Sequence, residues 1–336
     1  MSYELRRDEA LGDSLRRVCR KQIELAMAIA QGERETEDTP VHETRKHLKK
    51  ARAALRLVRE EIGRGLFRRQ DQCLRDIGRM ISEVRDAEAR LQTVRQLQGV
   101  SQKRGRAICR SLETMLVLEL ENFMAAFAEW QTQAAPMLAS ALEMMDHWAV
   151  DDFSAGQLRC AVQWSYKRAR RALAEAKAKP SVETFHELRR EAKILWCQLR
   201  ILRPLNQVVL KTVIDQVDAV GNLLGRAHDL SFLGQRLDAE RGQADWQREG
   251  QKLLAVIEVS QADLQRGAAE LAERFFSERP RDFGDRLAAW LEEWAMPRSA
   301  TDALVDEAPS PPARRPGPVT SVAAPRPSRR KRARSK

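Results

Sequence analysis

Two histidines each open a run of cationic residues. Residues 41–59 read VHETRKHLKKARAALRLVR, with seven Lys or Arg and one Glu. Residues 185–203 read FHELRREAKILWCQLRILR, where His186, Arg189, Arg190 and Lys193 repeat the spacing of His42, Arg45, Lys46 and Lys49. These groups supply positive charge and hydrogen-bond donors, and the guanidinium fork matches phosphate oxygens. On a helix, His42, Arg45, Lys46, Lys49, Arg52, Arg56 and Arg59 share an arc of about 140°, and Leu48, Ala51, Leu55, Val58 and Ile62 fill another. From His42 to Arg56 the stripe is about 21 Å long at 1.5 Å per residue. The second copy sets Leu188, Ala192, Leu195, Leu199 and Leu202 against His186, Arg189, Arg190, Lys193 and Arg200. Glu43 is the only acid before Glu60, so salt bridges within the first helix cannot neutralise its stripe. Like charges three and four residues apart each cost a few tenths of a kcal/mol. Two such stripes favour a polyanionic partner.

The segment TPVH places Thr39 at the N-cap, Pro40 first in the helix and His42 near the third position. Unpaired N–H groups and the helix dipole favour an anion there. Other chemistry finds less support. In HETRKH, His42 and His47 are five apart, about 140° round a helix, unlike the i, i+4 pair that shares a zinc. GRGLFR at 63–68 lacks the third glycine of a dinucleotide loop, and no phosphate-binding G-x-x-x-x-G-K-[ST] occurs. Asp86 and Asp229 read as caps or salt-bridge partners at helix junctions. No catalytic residue, metal or cofactor is expected.

The elements that carry the stripes are helical. Apolar content is 43% and aromatic content 5%, and stretches of alternating β-branched and aromatic residues are almost absent. Periodicity and breakers place helices near 8–31, 40–62, 65–84, 87–99, 104–147 with a break at Pro136, 155–178, 184–203, 205–224, 228–241, 245–277 and 281–295. A shift of 144 superposes His42 on His186, Arg45 on Arg189, Lys49 on Lys193 and Arg56 on Arg200. A shift of 143 then aligns DIGRMISEVRD (76–86) with AVGNLLGRAHD (219–229), placing Gly78 on Gly221, Arg85 on His228 and Asp86 on Asp229. A duplicated helical bundle explains this order, with halves 1–150 and 151–296.

The net charge is +11, but the segment from Ala308 onward holds nine Lys or Arg and no acid, which leaves +2 on the rest. A basic surface on the body must therefore come from segregation of charge. Residues 297–336, rich in Pro and Arg, are expected to form a disordered basic tail. Five scattered cysteines, without a C-x-x-C pair, suit a reduced compartment. No apolar signal core or run of ~18 apolar residues occurs, so a cytoplasmic protein is expected.

The two His-led basic helices and the paired VRD/AHD junctions resemble the CHAD family, the conserved-histidine α-helical domain, over roughly residues 8–295. The resemblance implies an all-α fold of two helical bundles, related by a pseudo-twofold, around a basic groove or pore. It implies binding of inorganic polyphosphate and association with polyphosphate granules in bacteria. Carried over, the implied contacts are His42, Arg45, Lys46, Lys49 and Arg56, with His186, Arg189, Arg190, Lys193 and Arg200. Arg52 belongs to the same stripe, and Trp196 stands in its place in the second copy, either weakening that half or packing.

A second tier of phosphate contacts comprises Arg16, Arg20 and Lys21 with Lys167, Arg168 and Arg171, for which a solvated helix face is the simpler reading. The CYTH triphosphatase domain fused to some CHAD proteins, with its alternating Glu-x-Glu-x-Lys strand, is absent from the sequence. Two alternatives stand beside non-enzymatic polyphosphate binding. One is nucleic-acid or nucleoid binding through the tail, residues 314–336. The other is an all-α enzyme acting on phosphate esters or polyphosphate through His42 and His186.

Overall fold

A computed structural model describes residues 3–100, 103–126, 129–239 and 247–296. The basic tail, including the nucleic-acid contact expected at 314–336, lies outside the described residues. The helices are α1 (Leu11–Ala30), α2 (Pro40–Leu57), α3 (Arg64–Met80), α4 (Ser82–Val100), α5 (Lys103–Ala126), α6 (Trp130–Glu143), α7 (Ala155–Ala178), α8 (Val182–Leu202), α9 (Gln207–Ala239), α10 (Gln247–Phe275) and α11 (Pro280–Ala295). No strand occurs among the described residues, and Met1–Ala295 forms one compact unit.

Local chemistry sets the helix starts. The Thr39 hydroxyl accepts the His42 N–H at 3.2 Å, with Pro40 in the first position. Ser154 with Gln157, and Ser181 with Thr184, form capping boxes on α7 and α8. Gly32 and Gly63 adopt φ of 74° and 79°, which only glycine takes without strain.

α2 ends at Leu57 rather than 62, which leaves Arg59 and Ile62 beyond the helix, and three of the expected breaks are displaced or missing. Pro136 does not break a helix: it sits inside α6, and Glu129, before α6, is a turn residue instead. Trp130, Ala134, Leu138 and Ala141 bury one face on both sides of the proline, and that packing outweighs its lost hydrogen bond. The turn expected near 84–87 falls at Ile81. The break expected near 225–227 does not exist, because α9 runs unbroken through Gly221 and Gly225. One apolar row, from Leu210 and Ile214 through Val217 and Leu224 to Leu233 and Leu237, is buried on both sides of the glycines.

The contacts repeat in order. α1 lies against α2 and α6, as α7 lies against α8 and α11; α2 meets α3 as α8 meets α9, and α4 meets α5 as α9 meets α10. α2 also packs directly on α8. Two apolar cores result. The larger joins α1, α2, α3, α6, α7, α8, the first part of α9 and α11. The smaller joins Leu91 and Val94 of α4 and Leu112 and Leu116 of α5 to Leu233 of α9 and Ile257 of α10. Each core draws on both sides of residue 150.

Gln70 ties α3 to the chain beyond α6. Fully buried, it donates to the Ala141 carbonyl at 2.8 Å and accepts the Trp148 indole N–H at 2.9 Å. Gln70→Leu leaves two buried polar groups unpaired and should cost about 1–3 kcal/mol of unfolding free energy in urea titrations. A neutral result would show that these groups find other partners.

Candidate anion-binding site

The apolar arcs read from the sequence are the buried ones: Leu48, Ala51 and Leu55 on α2, with Val58 just past its end, and Leu188, Ala192, Leu195 and Leu199 on α8. Burying these rows fixes where the basic arcs go. Arg45 donates to the Gly78 carbonyl at 2.7 Å. Burial lowers its pKa, Asp86 raises it, and Arg85 and Arg189 lower it further. Arg189, from the equivalent place on α8, is depressed by burial and Arg85 and supported by Asp229 and Asp86. The Nε–H groups of both arginines are buried without a hydrogen-bond partner.

Lys49 lies within electrostatic reach of both. Its side chain keeps solvent access, yet burial of the ammonium, then the charges of Arg45 and Arg189, pulls its pKa down to about 8. Arg85 of α4 acts on His42, Arg45, Lys49 and Arg189. Among the described residues, Arg45, Lys49, Arg85 and Arg189 form no ion pair with a carboxylate. Four cations from α2, α4 and α8 thus share one site.

The rest of the first stripe divides. Arg56 makes no ion pair among the described residues, and burial lowers its pKa to about 10, with Asp71 opposing the shift and Arg52 adding to it. Arg52 bonds the Asp71 carboxylate at 2.8 and 3.3 Å, and Arg75 takes the same carboxylate at 2.6 Å. Lys46 pairs with Glu43 at 3.0 Å.

On α8, Arg190 pairs with Glu187 and Glu191 at 2.5 and 3.1 Å. Lys193 meets Asp218 at 2.9 Å and Asn222 at 3.2 Å. Trp196 packs between Lys193 and Arg200, whose charges lie 4.8 and 4.7 Å from its ring.

The histidines differ. His42 holds the expected third position, but Pro40 has no N–H and the His42 N–H is taken by Thr39, so the helix end offers an anion little. Its Nε2 lies 3.6 Å from Asp38. His186 is fifth in α8, which begins at Val182 rather than at 184. Its ring tilts against His228 at 4.8 Å, and burial and His186 push His228 down to about 4. His47 faces the other way, buried and 2.8 Å from the Gln22 carboxamide oxygen.

The second tier lies on α1 and α7. Arg16 is held by Asp13, Asp151 and the Trp148 carbonyl, Arg20 by Asp146 and Lys21 by Glu24. Arg168 pairs with Glu191 at 2.9 Å and Arg171 with Glu175 at 3.7 Å, while Lys167 is exposed.

The junction reading of Asp86 and Asp229 is corrected: they stand inside α4 and α9, because the expected breaks lie elsewhere. Neither forms an ion pair among the described residues. Burial raises the Asp229 pKa while Arg189 and Arg85 oppose it. The site residue that the stripe pattern missed is Arg85. Its signal was present in the 143-residue shift, which set it against His228 beside the repeated aspartate.

The side-chain NMR titration of Lys49 should have a midpoint near 8, against an ordinary value of about 10.4. A midpoint at the ordinary value would contradict the enclosure.

Among the described residues, no helix is long and apolar enough to cross a membrane. No curated protein matches the chain. The crystal structure of the CHAD domain from the plant Ricinus communis is similar, with 17% identity and a TM-score of 0.48 over 87% of this chain and 95% of that one. The family model described as CHAD domain matches residues 17–238, two thirds of the sequence. The chain belongs to the CHAD domain family.

Proposed function

We propose that this protein binds inorganic polyphosphate at the cluster of Arg45, Lys49, Arg85 and Arg189, as a binding module rather than an enzyme, at polyphosphate granules in the cytoplasm. The observation that carries the reading is the convergence of Arg45, Lys49, Arg85 and Arg189 without a paired carboxylate among the described residues. Cations held together in this way repel one another, and a chain of closely spaced anions relieves the repulsion along its length. Polyphosphate has no bases to read, so charge, donor geometry and shape suffice for recognition. Arg56 and Arg200 lie farther along the two basic helices and extend the same track.

A bound polyanion restores the Lys49 proton. Binding should therefore take up protons near pH 8, and affinity should weaken as pH rises through that value. Arg45→Glu with Lys49→Glu should weaken long-chain polyphosphate binding on the order of 100-fold. Reversing the exposed Arg266 and Arg281 should change it less than about threefold. Equal losses from both pairs, measured by calorimetry at two salt concentrations, would mean diffuse attraction only.

Ending the chain at Met296 should keep polyphosphate binding and remove DNA binding. Loss of polyphosphate binding on that truncation would move the activity to the tail. Incubation with long-chain polyphosphate, with and without divalent metal, should leave chain length unchanged. Shortening that depends on His42 or His186 would make the protein an enzyme.

A further inference from the structure

Two glycines in the middle of α9, Gly221 and Gly225, are buried one turn apart. Glycine in a helix interior costs about 0.8–1 kcal/mol relative to alanine, so two in adjacent turns call for a reason. The surroundings supply one. A methyl group placed on Gly225 would stand 3.4, 3.4 and 3.8 Å from Nε, Nη2 and Cζ of Arg189, so the Nε–Nη2 edge of the guanidinium faces that residue at contact distance. One placed on Gly221 would stand 2.6 Å from Cε and 3.1 Å from Nζ of Lys193. The two side chains that α8 contributes next to the cation site therefore rest on bare backbone of α9.

We propose that Gly221 and Gly225 are positioning residues for polyphosphate binding: seats that set the depth of Lys193 and Arg189, at the expense of α9 stability. This rests on the polyphosphate reading. At Gly225 the seat brings Arg189 close enough to share the site with Arg45, Lys49 and Arg85. At Gly221 it lets the Lys193 ammonium reach Asp218 and Asn222. Gly12 and Gly284 are also closely approached, by Val150 and by Gln163 with Arg159, but neither neighbour belongs to the cation site. At Gly267, inside α10, a methyl group meets only Leu223, at an ordinary 3.9 Å.

Opposite signs make the test. Gly225→Ala and Gly267→Ala should each raise the thermal midpoint of the full-length protein by about 1–3 °C, because each improves helix propensity. Only Gly225→Ala should weaken binding of long-chain polyphosphate, roughly threefold to tenfold. In ligand-free protein, the Nε–H resonance of Arg189, assigned by its loss in Arg189→Lys, should move in Gly225→Ala and stay in Gly267→Ala. Gly221→Ala provides a second variant and should give the same opposition of stability and affinity.

An unmoved Arg189 resonance, or a loss of affinity that merely follows a loss of stability, would overturn the proposal. If the wild-type protein fails to bind polyphosphate, the functional reading falls. The Arg189 resonance still decides whether Gly225 seats the guanidinium.

Discussion

Mutual repulsion among Arg45, Lys49, Arg85 and Arg189 is the constraint on which the rest of the structure depends. These groups come from three helices and are partly withdrawn from water, and no carboxylate pairs with them among the described residues. Asp86 and Asp229 lie within electrostatic reach and moderate the field without closing on any cation. The fold holds the charges together because each cation stands on a helix whose opposite face is buried in apolar core. Hydrophobic burial, at about 25 cal/mol per Å², opposes a repulsion that no local pairing relieves. Such an arrangement stores a preference for an anion.

The surrounding charges are handled differently. Arg52, Arg190, Lys193 and Lys46 each meet the protein's own acids. Arg52 and Lys193 brace the stripe helices against α3 and α9, Lys46 and Arg190 pair within their own helices, and together they narrow the open charge to one region. Aromatic rings complete the frame: Arg59 lies 3.5 Å from the Trp164 ring, and Trp196 separates Lys193 from Arg200. The Trp196 position is therefore filled by packing between cations.

Helical periodicity made much of this legible in the sequence. The buried rows Leu48–Leu55 and Leu188–Leu199 follow from spacing alone, and the Thr39-Pro40 start of α2 follows from cap chemistry. What stayed hidden depends on contacts between helices. Asp71 reaches Arg52 from another helix, and Asp218 reaches Lys193 in the same way. Neither pairing has a short-range signature. Arg85 sits outside the stripes and joins them only through folding. The continuity of α9 went unseen for a related reason: Gly225 signals a break locally, whereas a guanidinium resting on it explains the residue without one. At Pro136, likewise, a buried face overrode a local breaker.

The most direct test of stored repulsion is the unfolding free energy of Lys49→Met, compared with wild type in the absence and presence of long-chain polyphosphate. Methionine keeps the length and helix propensity of lysine and removes the charge. The account predicts a variant more stable than wild type at pH 7 in the absence of anion. It also predicts that the advantage shrinks or reverses when polyphosphate is added, since the ligand stabilises the charged site more. A variant less stable than wild type without anion would contradict it, because Lys49 would then already be satisfied by the fold.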